Sequence, residues 1–326
     1  MTRRIATLSK SASEVVKMRI VITEFMDDDA VATLSSAFGA GNVIYDPTLV
    51  DQPDALANAA ADCDALIVRN RTQVRGALLD ACKRARVIGR LGVGLDNIDV
   101  VACEARGMRV IPATGANALA VAEYVIATAM MLRRASYLST ADVVAGKWPR
   151  NALSAGRETA GSTLGLIGYG AIGQMTGALA HGLGIKVIAY DPALPQGHAV
   201  WGGAARCTDL ATLITTADVI SLHVPLVDAT RNLFNAERID AMKRGAILIN
   251  TARGGIIDEA ALAAALKSGH LGGAAIDVFA TEPLLASDVF AGCPNLILTP
   301  HIAGVSFEAN VRVSSMIADA VIQALK

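Results

Sequence analysis

The segment Leu164-Gly165-Leu166-Ile167-Gly168-Tyr169-Gly170-Ala171-Ile172-Gly173 constrains the fold more than any other part of the chain. It reads as a buried strand, a glycine-rich turn and the first turn of a helix. A second apolar run ends in Tyr190-Asp191, eighteen residues past Gly173. Strand, turn, helix and second strand in this order call for a parallel pair joined by a crossover helix. Gly168 permits the tight turn, Gly170 lets backbone N–H groups approach a pyrophosphate, and Gly173 lets helix and sheet pack closely. The helix start at Ala171 and Ile172 adds positive partial charge for the phosphates. Asp191 is placed to accept hydrogen bonds from the adenosine ribose of a dinucleotide. Its charge would repel a 2′-phosphate, and Pro192-Ala193-Leu194 offer no cation to receive one. NAD is therefore the expected cofactor, in preference to NADP.

The rest of the chain alternates strand and helix. Strands are predicted in the second half at Leu164–Ile167, Val187–Tyr190, Val219–His223, Ala246–Asn250, Ala274–Val278 and Leu296–Leu298. Six strands with crossover helices fit a complete Rossmann-type sheet. One of those helices runs from an Asp258 N-cap to Lys267 and is closed by Gly269. In the first half, strands are predicted at Ile20–Thr23, Ala65–Val68, Val87–Leu91 and Val110–Pro112, with helices at Ala30–Ala37 and Gly76–Ala85. Between the halves, Ala118 to Ala145 reads as a long helical stretch whose apolar residues cover more than one face. It is expected to pack against a second subunit or another domain. The last helical segment, after Gly304, is too short to form a domain alone and is expected to return to the first half. The expected class is α/β, with two doubly wound parallel-sheet domains. A Rossmann-type NAD domain (117–304) is inserted in a flavodoxin-like substrate domain (18–116 and 305–326), after a disordered extension over 1–17.

Composition narrows the partners. The chain has 326 residues, 53 % of them apolar but only 4 % aromatic, so its cores must be built from Ala, Val, Leu and Ile. A formal charge of −1 gives no electrostatic reason to expect nucleic acid or an anionic membrane. The longest apolar run, Ala116 to Leu132, is broken by Asn117 and Glu123, so no membrane span is expected. The five cysteines are scattered without CxxC spacing, which predicts free thiols in the cytoplasm and no zinc site. Residues 1–17 are basic and lack the apolar core of a secretory signal.

Ligands of doubly wound sheets bind outside the carboxyl ends of the strands. His223, Thr251-Ala252-Arg253, Asp277 with Glu282, and His301 all fall at such ends. An arginine can clamp a carboxylate through two parallel hydrogen bonds. A histidine can exchange a proton with a hydroxyl or carbonyl near neutral pH. A carboxylate beside that imidazole would orient the ring and favour its charged form. Taken singly, each has a plainer reading: a loop histidine, a solvated turn carboxylate, a surface arginine. Their joint occurrence in this order carries the functional reading. His181, His198 and His270 are expected at the surface.

The chain resembles the D-isomer-specific 2-hydroxyacid dehydrogenases, among them phosphoglycerate and glycerate dehydrogenases, from about Arg19 to Lys326. The resemblance rests on Leu91-Gly92-Val93-Gly94-Leu95-Asp96-Asn97-Ile98-Asp99, on Asn117 with Val121-Ala122-Glu123, and on the glycine loop with Asp191. Leu222-His223-Val224-Pro225, Asn250-Thr251-Ala252-Arg253-Gly254-Gly255, Asp277-Val278-Phe279 with Glu282-Pro283, and Pro300-His301-Ile302-Ala303-Gly304 complete it. It implies a catalytic set of Arg253, Glu282 and His301. Arg253 would bind the substrate carboxylate and polarise the carbonyl. His301, supported by Glu282, would donate the proton in reduction and accept it in oxidation. Cofactor contacts would come from Gly168, Gly170, Ala171, Ile172, Gly173, Asp191, His223, Val224, Pro225, Thr251, Ala252, Arg253, His301 and Gly304. Asp277 would position the nicotinamide carboxamide. No metal is required, because Arg253 supplies the electrophilic charge. A homodimer is expected, as is closure of the domains around the substrate. Formate dehydrogenases of this fold place Gln where Glu282 stands, which argues against formate.

The substrate side is implied at Val93 and Gly94, whose N–H groups would hold the carboxylate, and at Arg69, Asn70 and Arg71. Relatives commonly carry one arginine in this last loop; here there are two. An extra guanidinium would pair with an anionic C3 group, as in 3-sulfolactate or 3-phosphoglycerate. The Arg-Asn-Arg-Thr loop, with Glu24-Phe25-Met26, is more similar to the sulfolactate dehydrogenases of the family. Sulfur outranks the carboxylate in priority, so a spatially D-type centre in sulfolactate is labelled S. If Arg71 instead points to solvent or pairs with an acid, a neutral side chain is expected, as in a glyoxylate or hydroxypyruvate reductase. A non-enzymatic, NAD-sensing corepressor is the remaining class; it would need a partner-binding segment that the sequence shows nowhere beyond residues 1–17. Longer phosphoglycerate dehydrogenases append regulatory domains; residues 305–326 do not resemble one, so feedback control by serine of that kind is not expected.

Overall fold

The computed structural model describes residues 18–286 and 289–326, and the expected extension over 1–17 lies outside them. The chain divides into two compact units. One runs to Thr114 and takes in Asn310–Lys326; the other is Gly115–Ala309. The sequence placed these divisions at 116/117 and 304/305.

The first unit holds a five-stranded parallel sheet of β1 (Ile20–Ile22), β2 (Val43–Tyr45), β3 (Ala65–Val68), β4 (Val87–Arg90) and β5 (Arg109–Pro112), in the order β2-β1-β3-β4-β5. This is the flavodoxin-like order. β1 and β3 are buried along their whole length, which explains their uninterrupted apolar sequence. The helix Phe307–Leu325 covers β4 at close range: a Cβ on Gly89 would lie 2.9 Å from Ile317 Cγ2 and 3.2 Å from Val321 Cγ2. Only glycine allows that approach without displacing the helix. β2, an edge strand of three half-buried residues, was not expected. The helix predicted over Gly76–Ala85 ends at Ala81, because Cys82 leaves helical geometry (ψ 60°) as the chain turns toward β4.

The second unit holds seven parallel strands: β6 (Thr163–Ile167), β7 (Lys186–Tyr190), β8 (Ala205–Arg206), β9 (Val219–Leu222), β10 (Ile247–Asn250), β11 (Gly273–Ile276) and β12 (Leu296–Leu298). Their order is β12-β11-β10-β9-β6-β7-β8. The strand order reverses between β6 and β9, and that switch point is where a doubly wound sheet receives its ligand. β8, two residues at the edge, is the strand missing from the six expected.

The long helix predicted over Ala118–Ala145 is a correction. It spans Ala118–Arg134 and stops where Ala135 turns left-handed (φ 51°), its N–H bonding Met131 O at 2.7 Å. A 3-10 turn at Ser136–Ser139 and a separate five-residue helix at Thr140–Val144 follow, so the stretch is helical but broken. The returning chain supplies the reason: Arg157 N donates to Arg133 O at 2.9 Å, and Gly156 packs so close that a Cβ would meet Arg134 O at 2.7 Å. The Arg133 carbonyl is thus satisfied by Arg157 rather than by another helical turn, and Gly156 passes close over Arg134. The breadth of its apolar face is used within the unit, where nine of its residues are buried beside β6, β7 and the helix Ala171–Gly182. Among the described residues, no helix is long and apolar enough to cross a membrane.

Candidate active site

The glycine loop joins β6 to the helix Ala171–Gly182. Gly168 has φ 91°, and a Cβ there would sit 2.5 Å from His223 O. A Cβ on Gly173 would sit 2.5 Å from Gly168 O, whereas one on Gly170 would meet nothing within 4 Å. Two glycines therefore close the turn, and the third leaves an open face at a helix N-terminus, as a pyrophosphate requires. Asp191, just past β7, is oriented by N–H groups on both oxygens: Tyr169 N to Oδ2 at 2.9 Å and Ala193 N to Oδ1 at 3.0 Å.

Three buried side-chain atoms around this loop's sheet edge have no protein partner: His223 Nε2, Thr251 Oγ1 and Asn117 Oδ1. His223 follows β9 and Thr251 follows β10, both at carboxyl ends. Buried polar atoms are rarely left unpaired. NAD offers hydroxyl, phosphate and amide groups to pair with them, so the residues present fit this cofactor. Burial pushes the His223 imidazole down to about 4, so it lines the edge as a neutral ring at physiological pH.

β10, β11 and β12 deliver the remaining groups to the same edge. After β10, buried Asn250 folds the Thr251–Arg253 turn, accepting from Ala252 N at 3.0 Å and donating to Arg253 O at 2.9 Å. Gly254 then presses against the segment after β11, where a Cβ would meet Phe279 O at 1.8 Å. That segment carries Glu282. Its Oε1 accepts from Phe279 N at 3.0 Å, and its Oε2 lies 2.7 Å from His301 Nδ1. The bond fixes the tautomer: Nδ1–H donates to the carboxylate, and Nε2 is the ring atom left for a substrate. His301 holds a left-handed backbone (φ 56°), unusual for a residue with a side chain. Asp277 maintains it. The Asp277 carboxylate is buried and accepts from Thr299 Oγ1 (2.6 Å), Ile302 N (2.8 Å) and Ala303 N (2.9 Å), while its backbone oxygen accepts from His301 N (2.8 Å).

Asp277 thus works largely as the anchor of the histidine turn, a role the sequence reading did not give it. Asn250 and Thr299 are positioning residues it also missed. His181 and His198 are exposed as expected, but His270 is half-buried, with Nε2 bonding Ile239 O at 3.0 Å. No cluster of three or more His, Cys, Asp or Glu residues that could hold a metal occurs among the described residues.

In the first unit, the loop Arg69-Asn70-Arg71-Thr72 leaves β3. Arg69 lies over the Phe25 ring (5.6 Å to its centre), donates to Phe25 O at 3.4 Å and also bonds Asn310 Oδ1. Arg71 is exposed and its guanidinium grips both Asp51 oxygens. Of the two readings weighed for Arg71, pairing with an acid is the one observed. Near Val93 and Gly94, Arg90 shapes the turn, Nε donating to Gly94 O at 2.9 Å and Nη1 to Leu91 O at 2.7 Å.

A glycine loop, an orienting acid, a His–Glu pair and an arginine, all in segments that follow strand carboxyl ends, define a dinucleotide-dependent oxidoreductase site. Comparison with known proteins gives the class. Residues 126–303 match the family "D-isomer specific 2-hydroxyacid dehydrogenase, NAD binding domain". An (S)-sulfolactate dehydrogenase of Chromohalobacter salexigens is 52 % identical over 94 % of this chain and 98 % of that protein. A D-3-phosphoglycerate dehydrogenase of Arabidopsis thaliana is 39 % identical over 99 % of this chain, which spans 51 % of that longer protein. A D-lactate dehydrogenase of Aquifex aeolicus, solved with NAD and lactic acid, superposes with a TM-score of 0.80 at 28 % identity, over 93 % of this chain and 94 % of the other. The chain belongs to the D-isomer-specific 2-hydroxyacid dehydrogenase family, and its dinucleotide is NAD.

Asp191→Ala is expected to weaken NAD binding about tenfold or more, the worth of a hydrogen bond to a charged group, and to narrow the preference over NADP. Titration of both dinucleotides checks this; an unchanged preference would locate the ribose acid elsewhere. His223 makes a separate prediction. Its folded value lies below its ordinary 6.5, so the unfolded chain binds the extra proton between 6.5 and about 4. Its contribution to stability is complete above 6.5 and is lost as pH falls through that window. Urea unfolding across the window should show a shallower decline in His223→Gln than in the parent.

Proposed function

We propose that the chain interconverts a 2-hydroxy acid carrying an anionic C3 group, 3-sulfolactate foremost, and its 2-keto acid. NAD, when bound, supplies the hydride acceptor or donor. The chain's own residues do the rest. Arg253 binds the substrate carboxylate and polarises the oxygen on C2. His301 Nε2 takes the hydroxyl proton as C2 gives up a hydride, and returns it in the reverse direction. Glu282 keeps Nδ1–H and the ring in place.

The His301–Glu282 bond of 2.7 Å is the observation that carries the acid–base assignment. For the C3 anion, support comes from the 52 % identity to the sulfolactate enzyme and from Arg69, whose guanidinium has N–H groups beyond the two engaged. The Arg71–Asp51 pair favours a second reading, reduction of glyoxylate or hydroxypyruvate, because it withdraws one cation from the loop. A homodimer is proposed from the exposed apolar strip of Met130, Met131, Leu138, Val144 and Trp148. A cytoplasmic setting is proposed from the five free thiols.

His301→Ala should remove most turnover, by about a hundredfold or more for loss of general acid–base catalysis, while leaving NADH affinity close to the parent's. Loss of NADH binding instead would refute the assigned role. Steady-state rates with sulfopyruvate, phosphohydroxypyruvate and hydroxypyruvate test the substrate. A far faster rate with hydroxypyruvate would favour the second reading.

A further inference from the structure

Glu24 leaves the end of β1 only 5 % exposed. A carboxylate at that depth is costly unless its oxygens are filled. They are filled by one loop. Oε1 accepts from Arg69 N at 2.9 Å and Thr72 N at 3.0 Å, and Oε2 accepts from Arg71 N at 3.0 Å. The loop's other polar groups are held from a second side. Asn97 Nδ2 donates to Arg69 O at 3.1 Å and Thr72 O at 2.7 Å, and Thr23 Oγ1 lies 2.8 Å from Thr72 Oγ1. Glu24, Asn97 and Thr72 are all buried, so the four-residue loop is clamped through its backbone while both arginine heads stay outside the clamp.

We propose that Glu24 is the positioning residue that sets substrate selection, by fixing the backbone from which Arg69 reaches a C3 anion. The inference rests on the proposed function, which puts that anion at this loop. A bare acid near an anionic substrate would repel it. Three N–H donors offset the Glu24 charge, so its effect is exerted through geometry.

Glu24→Gln separates the two possibilities. If Glu24 acts by charge, neutralising it tightens binding of C3-anionic substrates. If it acts as a holder, the new amide N–H groups face backbone N–H groups and the loop loosens. The expected result is a KM for sulfopyruvate raised roughly ten- to hundredfold, more than the KM for glyoxylate, which lacks C3, and more than kcat falls. Amide hydrogen exchange across residues 69–72 should quicken in Glu24→Gln and further in Glu24→Ala, with NADH affinity retained. A lowered KM for sulfopyruvate, or unchanged exchange in both variants, overturns the proposal. Wild-type rates judge the substrate reading separately. Should the wild type prefer glyoxylate, the selection claim falls with it, whatever the exchange data show.

Discussion

The reacting half of this enzyme hangs on the Asp277 carboxylate. Three hydrogen bonds from residues 299–303 converge on it, and they force His301 into a left-handed backbone. That conformation costs about 1–2 kcal/mol for a residue with a Cβ. Hydrogen bonds to a charged acceptor are worth roughly 1.5–3 kcal/mol each, so the strain is readily overcome. The outcome is a histidine whose Nδ1 meets Glu282, which leaves Nε2 as the ring nitrogen that the carboxylate does not engage. Tyr124, through its 2.7 Å contact with Thr299 Oγ1, ties the same network to the helix Ala118–Arg134.

The device recurs. Asp191 gathers backbone N–H groups at the glycine loop, and Glu24 gathers three at the arginine loop of the other unit. In each case a carboxylate at or just past a strand's carboxyl end organises a turn that would otherwise sample many conformations. Hydrogen bonds within the protein supply this order, which lowers the cost of reaching a productive geometry. Charge at these strand ends therefore has a structural use: acids that are buried (Glu24, Asp277) or half-buried (Asp191) hold the backbone of the turns around them.

Much of this was legible in the sequence, because strand ends and tight turns leave local marks. The glycine spacing, the Asp258 cap and the ordered Arg253, Glu282 and His301 motifs are all short-range signals. What escaped was long-range or marginal. The edge strands β2 and β8 are too short to show a period, though Val43-Ile44-Tyr45 has strand-favouring residues. The helix break at Ala135 depends on a return of the chain at residues 156 and 157. Glu24 stood out only as part of a family likeness; nothing local says that its partners lie 45 to 48 residues away. The Arg71–Asp51 pair is a contact of the same kind, and it decided a question the sequence left open.

In the proposed reaction, C2 of a C3-anionic 2-keto acid receives a hydride directly from the cofactor while His301 supplies the proton. Single turnover with NADH deuterated at nicotinamide C4 on the transferred face, followed by mass and NMR analysis of the product, tests it most directly. The expected product from sulfopyruvate is (S)-3-sulfolactate with deuterium at C2 and no loss of label to water. Unlabelled product, label washed out to solvent, or the opposite configuration at C2 would contradict it.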